Sequence, residues 1–186
     1  MDFASQWGDR VSAALRRGPS KVRDALAIRG GFIAELWENA ERKNLLWVAT
    51  RPINLITTTG LDWLAQNGLL SGTFYLMPIS GTPSVALGDT MTVHAGWTEV
   101  QDYDEAVRQA FVGAVISPGN YSNIASKASF AINTTVTIGG AMGVSDSTKG
   151  GTAGVTVCGG AFVQGDQGAV DGNVLDVTYA FTHANA

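Results

Sequence analysis

The chain has 186 residues, enough for one filled hydrophobic core and a short appendage. Hydrophobic residues make up 45% of it and charged residues only 15%, against about a quarter in a typical soluble domain. Low charge and 23 glycines favour short strands, tight turns and a surface that neighbouring subunits cover. We predict a mainly β fold, an antiparallel β-sandwich or jelly roll with a short N-terminal helical arm.

The charges are unevenly distributed. Residues 1–60 sum to +3 and residues 61–186 to −7, which indicates a basic arm on an acidic body. An acidic body argues against nucleic acid as the main partner, because phosphate binding requires a concentrated basic face. The single cysteine, Cys158, excludes an intrachain disulfide. We expect no signal peptide, no membrane partner and synthesis in a reducing, cytoplasmic compartment.

Residues 1–30 are predicted to form the arm and residues 31–186 the β-sandwich body. Apolar side chains recur at helical spacing in the first 17 residues, Gly18–Pro19 ends that helix, and a second short helix is expected over 21–29. Such short helices are marginal alone, so the arm docks either on its own body or on another subunit. The candidate partner-binding residues are Phe3, Trp7, Val11, Leu15, Arg16, Arg17, Lys21 and Arg23.

The first part of the body reads as a hairpin followed by a helix. Alternating bulky residues over 32–38 and 44–50, with a polar turn between them, predict two paired strands. A helix is expected before Gly68, capped by Thr58 or Thr59. A strand over 72–79 and a long loop with several breakers follow.

The second part of the body reads as short strands between turn signals. Residues 102–105 and 117–123 are predicted turns, and Leu175, Val177, Tyr179 and Phe181 are expected to share one buried face. The predicted strands are 97–100, 108–115, 128–133, 136–144, 155–162 and 175–181. Strands at this spacing are typical of a sandwich or jelly roll.

The densest group of candidate chemical residues is an acidic cluster around Asp102. Its members are Asp89, Glu99, Asp102, Asp104 and Glu105. Alternate acids on a turn can converge on one cation, and paired carboxylates can cleave glycosides, but the glycine and distal glutamate of a calcium loop are missing. The alternative is a solvated turn in which Asp104 or Glu105 pairs with Arg108.

Other signals for catalysis are weak, so we predict no enzyme, no cofactor and no metal. His94 and His183 lie far from each other and from Cys158, which gives no zinc spacing. Lys149 precedes its glycines instead of opening a helix after them, so this stretch is a turn and not a phosphate loop. Cys158 has no activating base nearby in sequence and reads as a small core residue.

Several long stretches resemble a family of tailed-bacteriophage virion proteins. They are the strand TFYLMPI, the stretch GDTMTVHAGWTEVQDYDEAVRQAF, the run FAINTTVTIGGAMGVSDSTKGGTAG and the ending GNVLDVTYAF. The resemblance covers roughly residues 31–186. This chain differs from the family pattern at residues 140–143, which are mostly small, so looser packing is expected there. The motifs that carry it are structural ones.

The resemblance implies a non-enzymatic β-sandwich protein of the virion, made in the host cytoplasm. Its partners would be other virion proteins and further copies of itself. The resemblance does not fix its place in the particle, and our leading hypothesis is that it cements the capsid by bridging neighbouring subunits. A place in the neck, tail or fibre is the alternative. A second alternative is a receptor- or carbohydrate-binding appendage that uses Trp97, Tyr103, Asp102 and Asp104.

Overall fold

A computed structural model describes residues 27–51, 54–67, 73–117 and 120–184 of the chain. Residues Arg29–Thr182 form one compact unit. Its secondary structure is mainly antiparallel β, as the sequence predicts.

The described residues contain fourteen short strands and one helix. The first strands are β1 (Ala27–Trp37), β2 (Leu45–Arg51) and β3 (Leu55–Ile56), followed by the helix α1 (Thr58–Asn67). The middle strands are β4 (Tyr75–Ser80), β5 (Thr98–Glu99), β6 (Gln109–Ala110), β7 (Ala114–Ser117), β8 (Asn120–Ser122) and β9 (Ala128–Ala131). The last strands are β10 (Val136–Ile138), β11 (Gly140–Val144), β12 (Thr156–Ala161), β13 (Gln167–Ala169) and β14 (Val174–Ala184).

The first sheet runs in the order β2-β1-β14-β8-β7, with β9 also paired to β14. β14 is the central strand, and β8 and β9 share one of its sides, opposite its C-terminal and N-terminal parts respectively. Asn123 lies between these two short strands. Its Nδ2 donates to the Val177 carbonyl at 3.1 Å and its Oδ1 accepts from the Tyr179 amide at 2.7 Å. This buried side chain thus replaces the missing strand contacts and leaves the backbone of β14 satisfied.

The second sheet runs in the order β3-β12-β11-β4-β5, with β6 also paired to β4. Rings from the two sheets meet between them. Phe74, beside β4, lies edge-on to Tyr179 and Phe181 of β14, with ring centroids 6.1 and 5.8 Å apart. The predicted inward row of β14 is buried, and none of its four side chains is more than 1% exposed. These contacts form the sandwich core.

The glycine-rich stretch over 140–143 is tightly packed, which corrects the expectation of light packing there. All of β11 is buried between β12 and β4. A Cβ at Gly140 would lie 2.4 Å from the Gly160 carbonyl oxygen, and one at Gly143 would lie 2.9 Å from Cys158 Sγ. Small residues therefore bring backbones together here.

The helix α1 begins where the sequence predicts, but its N-cap is Thr57 and not Thr58 or Thr59. The Gly60 amide donates to Thr57 Oγ1 at 2.9 Å, the usual bond from the third helical residue to the cap. Leu64 is 6% exposed, so the helix contributes to the core.

Several boundaries differ from the sequence prediction. β1 begins at Ala27, so the end of the predicted second helix belongs to a strand, because β1 gains backbone partners from both β2 and β14. The turn predicted over 117–123 contains β8, and β3 and β13 were not predicted. These strands are two or three residues long, too short to show a period of two.

Gly60 provides a test of close helix–sheet packing. Its Cβ would lie 2.0 Å from the Val157 carbonyl oxygen, a backbone atom that cannot move aside. We expect Gly60→Ala to lower the free energy of unfolding by about 1–3 kcal/mol in urea titrations, despite the better helix propensity of alanine. Gly168→Ala is the control, since nothing lies within 4 Å of its Cβ position. Equal stability of the two variants would contradict this packing.

Candidate functional site

The acidic cluster is organised by a buried ion pair between Arg108 and Glu99. Arg108 Nε donates to Glu99 Oε1 at 2.9 Å and Nη2 donates to Oε2 at 2.7 Å. The two side chains are 0% and 8% exposed. The prediction that Arg108 pairs with Asp104 or Glu105 is therefore wrong, because Glu99 at the end of β5 is the acid that enters the same buried space.

The guanidinium of Arg108 also binds two backbone carbonyls of a neighbouring turn. Nη1 donates to the Asp146 carbonyl at 3.0 Å and Nη2 to the Gly151 carbonyl at 2.7 Å. Glu99 Oε2 in turn accepts from the Gly150 amide at 3.0 Å. The pair thus joins β5, the segment before β6 and the turn over 145–151, and each buried charge has several hydrogen-bond partners.

Asp104 and Glu105 bind protein donors through their side chains, whereas Asp102 accepts from the Asn133 amide through its backbone carbonyl at 3.2 Å. Asp104 Oδ1 accepts from Asn133 Nδ2 at 3.1 Å, and the Glu105 carboxylate accepts from the Ala131 amide at 3.1 and 3.2 Å. Within residues 27–51, 54–67, 73–117 and 120–184, no three His, Cys, Asp or Glu side chains are grouped to hold a metal ion. The side chains of Glu99, Asp104 and Glu105 therefore hold neighbouring loops together.

Trp97 and Asp89 are also engaged inside the protein. Trp97 is 5% exposed, and its Nε1 donates to Asp89 Oδ2 at 3.0 Å. His94 stacks on the indole with ring centroids 3.5 Å apart. A sugar that stacks on the Trp97 indole would need an open face of that ring. The ring is buried and covered by His94, so no face is open.

Tyr103 is fully buried, at 0% exposure, against Phe130. Burial, reinforced by the nearby charge of Glu99, raises the pKa of the Tyr103 hydroxyl far above its usual value. Lys149 lies over the ring, with Nζ 4.3 Å from its centroid, and donates to the Tyr103 carbonyl at 2.8 Å. Lys149 is thus a structural residue at the predicted turn, where Gly150 has a φ of 71°.

Cys158 is a core residue, as predicted, with 0% exposure in β12. Burial raises the pKa of its thiol to about 12. The thiol is therefore protonated at neutral pH and is a poor nucleophile in the folded protein.

The sequence did not predict the tie at the tip of the first hairpin. Arg42 has a φ of 52°, and its Nε and Nη2 donate to the two Asp176 oxygens at 2.7 and 2.9 Å. Nη2 also donates to Ser129 Oγ at 2.8 Å. An arginine in a polar turn carries no signal for a partner 134 residues away.

The arm's candidate residues lie outside the described residues. They are Phe3, Trp7, Val11, Leu15, Arg16, Arg17, Lys21 and Arg23. Their role as partner contacts stays a prediction.

The outward side of the first hairpin carries exposed aliphatic side chains. Phe32, Ala34 and Leu36 of β1 face the core and are at most 1% exposed. By the register of the pair, Ile33 at 42%, Leu45 at 42% and Val48 at 41% exposure lie on the opposite face, and Leu46 at 46% sits at the irregular position beside Leu45; we call these four residues the outer patch. Large contiguous apolar patches on a protein surface are typical of interaction sites.

The opposite edge of the same sheet is β7, and all four of its residues are exposed. Val115 and Ile116 are 65% and 52% exposed, and Val112 just before the strand is 57% exposed. We call Ala114–Ser117 the β7 edge. The outer patch and the β7 edge both expose aliphatic side chains of the first sheet.

No family model matches the chain, and no curated protein or solved structure matches it either. Among the helices of the described residues, none has both the length and the apolar character needed to cross a bilayer.

Removing the charge of Arg108 tests the loop ties. Arg108→Met retains much of the volume but leaves Glu99 buried without its partner, so we expect a loss of about 3–5 kcal/mol in the free energy of unfolding. The matched control is Lys43→Met, which breaks an exposed ion pair with Glu41 and should cost at most about 1 kcal/mol. Similar costs for both variants would show that the Arg108 network does not stabilise the loops.

Because the thiol of Cys158 is buried, we expect the folded protein to lose stability in alkali. The pKa of this thiol is about 12 in the folded protein, above its ordinary value in an unfolded chain. At a pH between these two pKa values, the unfolded chain releases the proton and the folded protein keeps it. The unfolded state thus gains stability as the pH rises above about 9. Urea titrations from pH 8 to 11 should show a steeper decline for the natural chain than for Cys158→Ala. Parallel curves would contradict this assignment.

Proposed function

We propose that this chain is a non-enzymatic structural protein of a tailed-bacteriophage virion that decorates the capsid and bridges neighbouring subunits. The observation that carries the proposal is the outer patch on β1 and β2. Four aliphatic side chains of these two strands are 41–46% exposed, whereas the inward-facing residues of β1 are buried. A covered position in a particle gives these side chains the burial that an isolated molecule lacks.

The low charge and the basic N-terminal segment are consistent with this role. Charged residues make up only 15% of the chain, and residues 1–60 sum to +3 on an otherwise acidic protein. An apolar patch contributes binding through area, and a basic segment adds attraction to an acidic partner. In a shell each contact can be modest, because many copies act together.

The resemblance over roughly residues 31–186 supplies the class of particle. The side chains of Asp89, Glu99, Asp104 and Glu105 are occupied in holding loops, and the rings of Trp97 and Tyr103 are buried. Contact through surfaces is therefore the activity that the described residues support best. Placement in the neck, tail or fibre is the competing assignment within the same class.

The copy number per particle tests the proposed position. Quantitative mass spectrometry of purified particles should give hundreds of copies of this chain for a capsid decoration protein. A dozen or fewer would place it in the neck or tail, and its absence from particles would refute the virion role.

Deletion of residues 2–26 tests the arm without truncating β1, which begins at Ala27. We expect the shortened chain to fold but to occupy particles at least about tenfold less, since anchor contacts of this kind contribute more than 1 kcal/mol each. A second variant, with Arg16, Arg17, Lys21 and Arg23 changed to glutamate, separates charge from apolar contact. Normal occupancy of both variants would show that the arm is not the attachment segment.

A further inference from the structure

We propose that Arg51 and the groove beside it bind an acidic side chain of a neighbouring protein subunit, an Asp or Glu with apolar residues next to it. Arg51 is the last residue of β2, at the end of the first hairpin. This inference rests on the proposed structural role, and it adds the chemistry of the partner segment.

Arg51 is the one cation without a partner among the lysine and arginine side chains that the structure describes. The others are all engaged: Arg42, Lys43, Arg108 and Lys127 form ion pairs, and Lys149 lies on Tyr103. Arg51 forms no ion pair with a described residue, and its Nε is buried without a hydrogen-bond acceptor. Such a group is unfavourable for stability, and proteins retain groups of this kind mainly at functional sites.

The side chain of Arg51 is held in position by Gly160 of β12, in the second sheet. A Cβ at Gly160 would lie 2.9 Å from Arg51 Nε and 3.2 Å from Arg51 Cγ. Glycine thus lets the stem of the arginine pack directly on the backbone of β12. A stem that is already restricted loses little rotamer freedom when a partner binds, so binding costs less entropy.

Arg51 also lines a groove of about 310 Å³ on the first sheet. The other described residues of this groove carry no charge: Gly30, Gly31, Phe32, Ile33, Thr50 and Ala180. Ile33 belongs to the outer patch as well, so the groove continues into the surface for which we propose burial in a particle. A largely apolar groove with one cation in its wall is complementary to a ligand with one negative charge beside apolar groups.

A carboxylate is the anion that suits this site best. Arginine binds carboxylates through two parallel N–H groups, as Arg42 and Arg108 do inside this protein. In Arg51 the buried Nε is closed to a partner, which leaves the terminal nitrogens Nη1 and Nη2 as the pair of donors. A polyanion such as nucleic acid is disfavoured, because residues 61–186 sum to −7 and repel it.

Hexanoate tests the site in solution, because it carries a carboxylate on a short apolar chain. Titrated into the natural chain, it should shift the amide NMR signals of Gly31, Ile33 and Thr50 with a dissociation constant of roughly 1–10 mM. Replacing hexanoate by 1-hexanol, or the natural chain by Arg51→Gln, should weaken binding at least about tenfold.

The matched control for this titration is Lys43→Gln, which removes an exposed cation from the same hairpin. This variant should bind hexanoate as the natural chain does. Equal binding of hexanoate and 1-hexanol, or undiminished binding of hexanoate by Arg51→Gln, would overturn the proposed site.

The stability of Arg51→Gln separates a binding role from a structural one. Arg51 has no ion pair to lose among the described residues, so the variant should unfold at the same urea concentration as the natural chain. A marked fall in the urea midpoint, comparable with that expected for Arg108→Met, would assign Arg51 to the folding of the protein and overturn the proposal.

Particle occupancy tests the identity of the partner. Arg51→Glu should occupy particles at least about tenfold less than the natural chain, since it meets the partner's carboxylate with a like charge. Arg51→Lys keeps the charge but loses the pair of parallel N–H groups, so its occupancy should lie between the two. Normal occupancy of Arg51→Glu would overturn this inference and leave the proposed function intact. Absence of the natural chain from particles would instead refute the proposed function, and with it the partner named here.

Discussion

The buried pair of Arg108 and Glu99 is the interaction on which the loop end of the molecule depends. Moving two charges out of water is costly, and the cost is recovered only when both groups are fully hydrogen-bonded. Here that requirement draws in the backbone of the turn over 145–151 as well as β5. The acidic cluster that looks like a binding site in the sequence thus becomes the means by which long loops are fixed without regular structure.

The same demand for satisfied polar groups shapes the sheets. Asn123 supplies the hydrogen bonds that two short strands leave open on β14. At the other side of β14, Asn54 Nδ2 donates to Tyr179 Oη at 3.2 Å, beside Gly30, where a Cβ would lie 1.9 Å from that oxygen. Glycine and buried amides therefore work together, one by allowing close approach and the other by supplying hydrogen bonds.

At its two edge strands, β2 and β7, the first sheet leaves apolar side chains exposed. The outer patch on β1 and β2 leaves aliphatic groups in water, and β7 leaves Val115 and Ile116 exposed at the edge of the sheet. Both features cost little when another molecule covers them. A protein whose interior polar groups are closely hydrogen-bonded and whose first sheet exposes aliphatic side chains is suited to contact through its surface, which is the role that we propose.

The sequence by itself determined the fold class, the first hairpin, α1 and the buried row of β14, because periods of two and 3.6 residues and turn residues are local signals. It did not determine which charges meet. Arg108 could not be assigned to Glu99 over Asp104 or Glu105, and Arg42 gave no sign of Asp176, since such choices depend on where distant segments converge. Nor did the strand predicted over 108–115 reveal that its end is exposed, because burial is decided only when the second sheet either covers a strand or stops short of it.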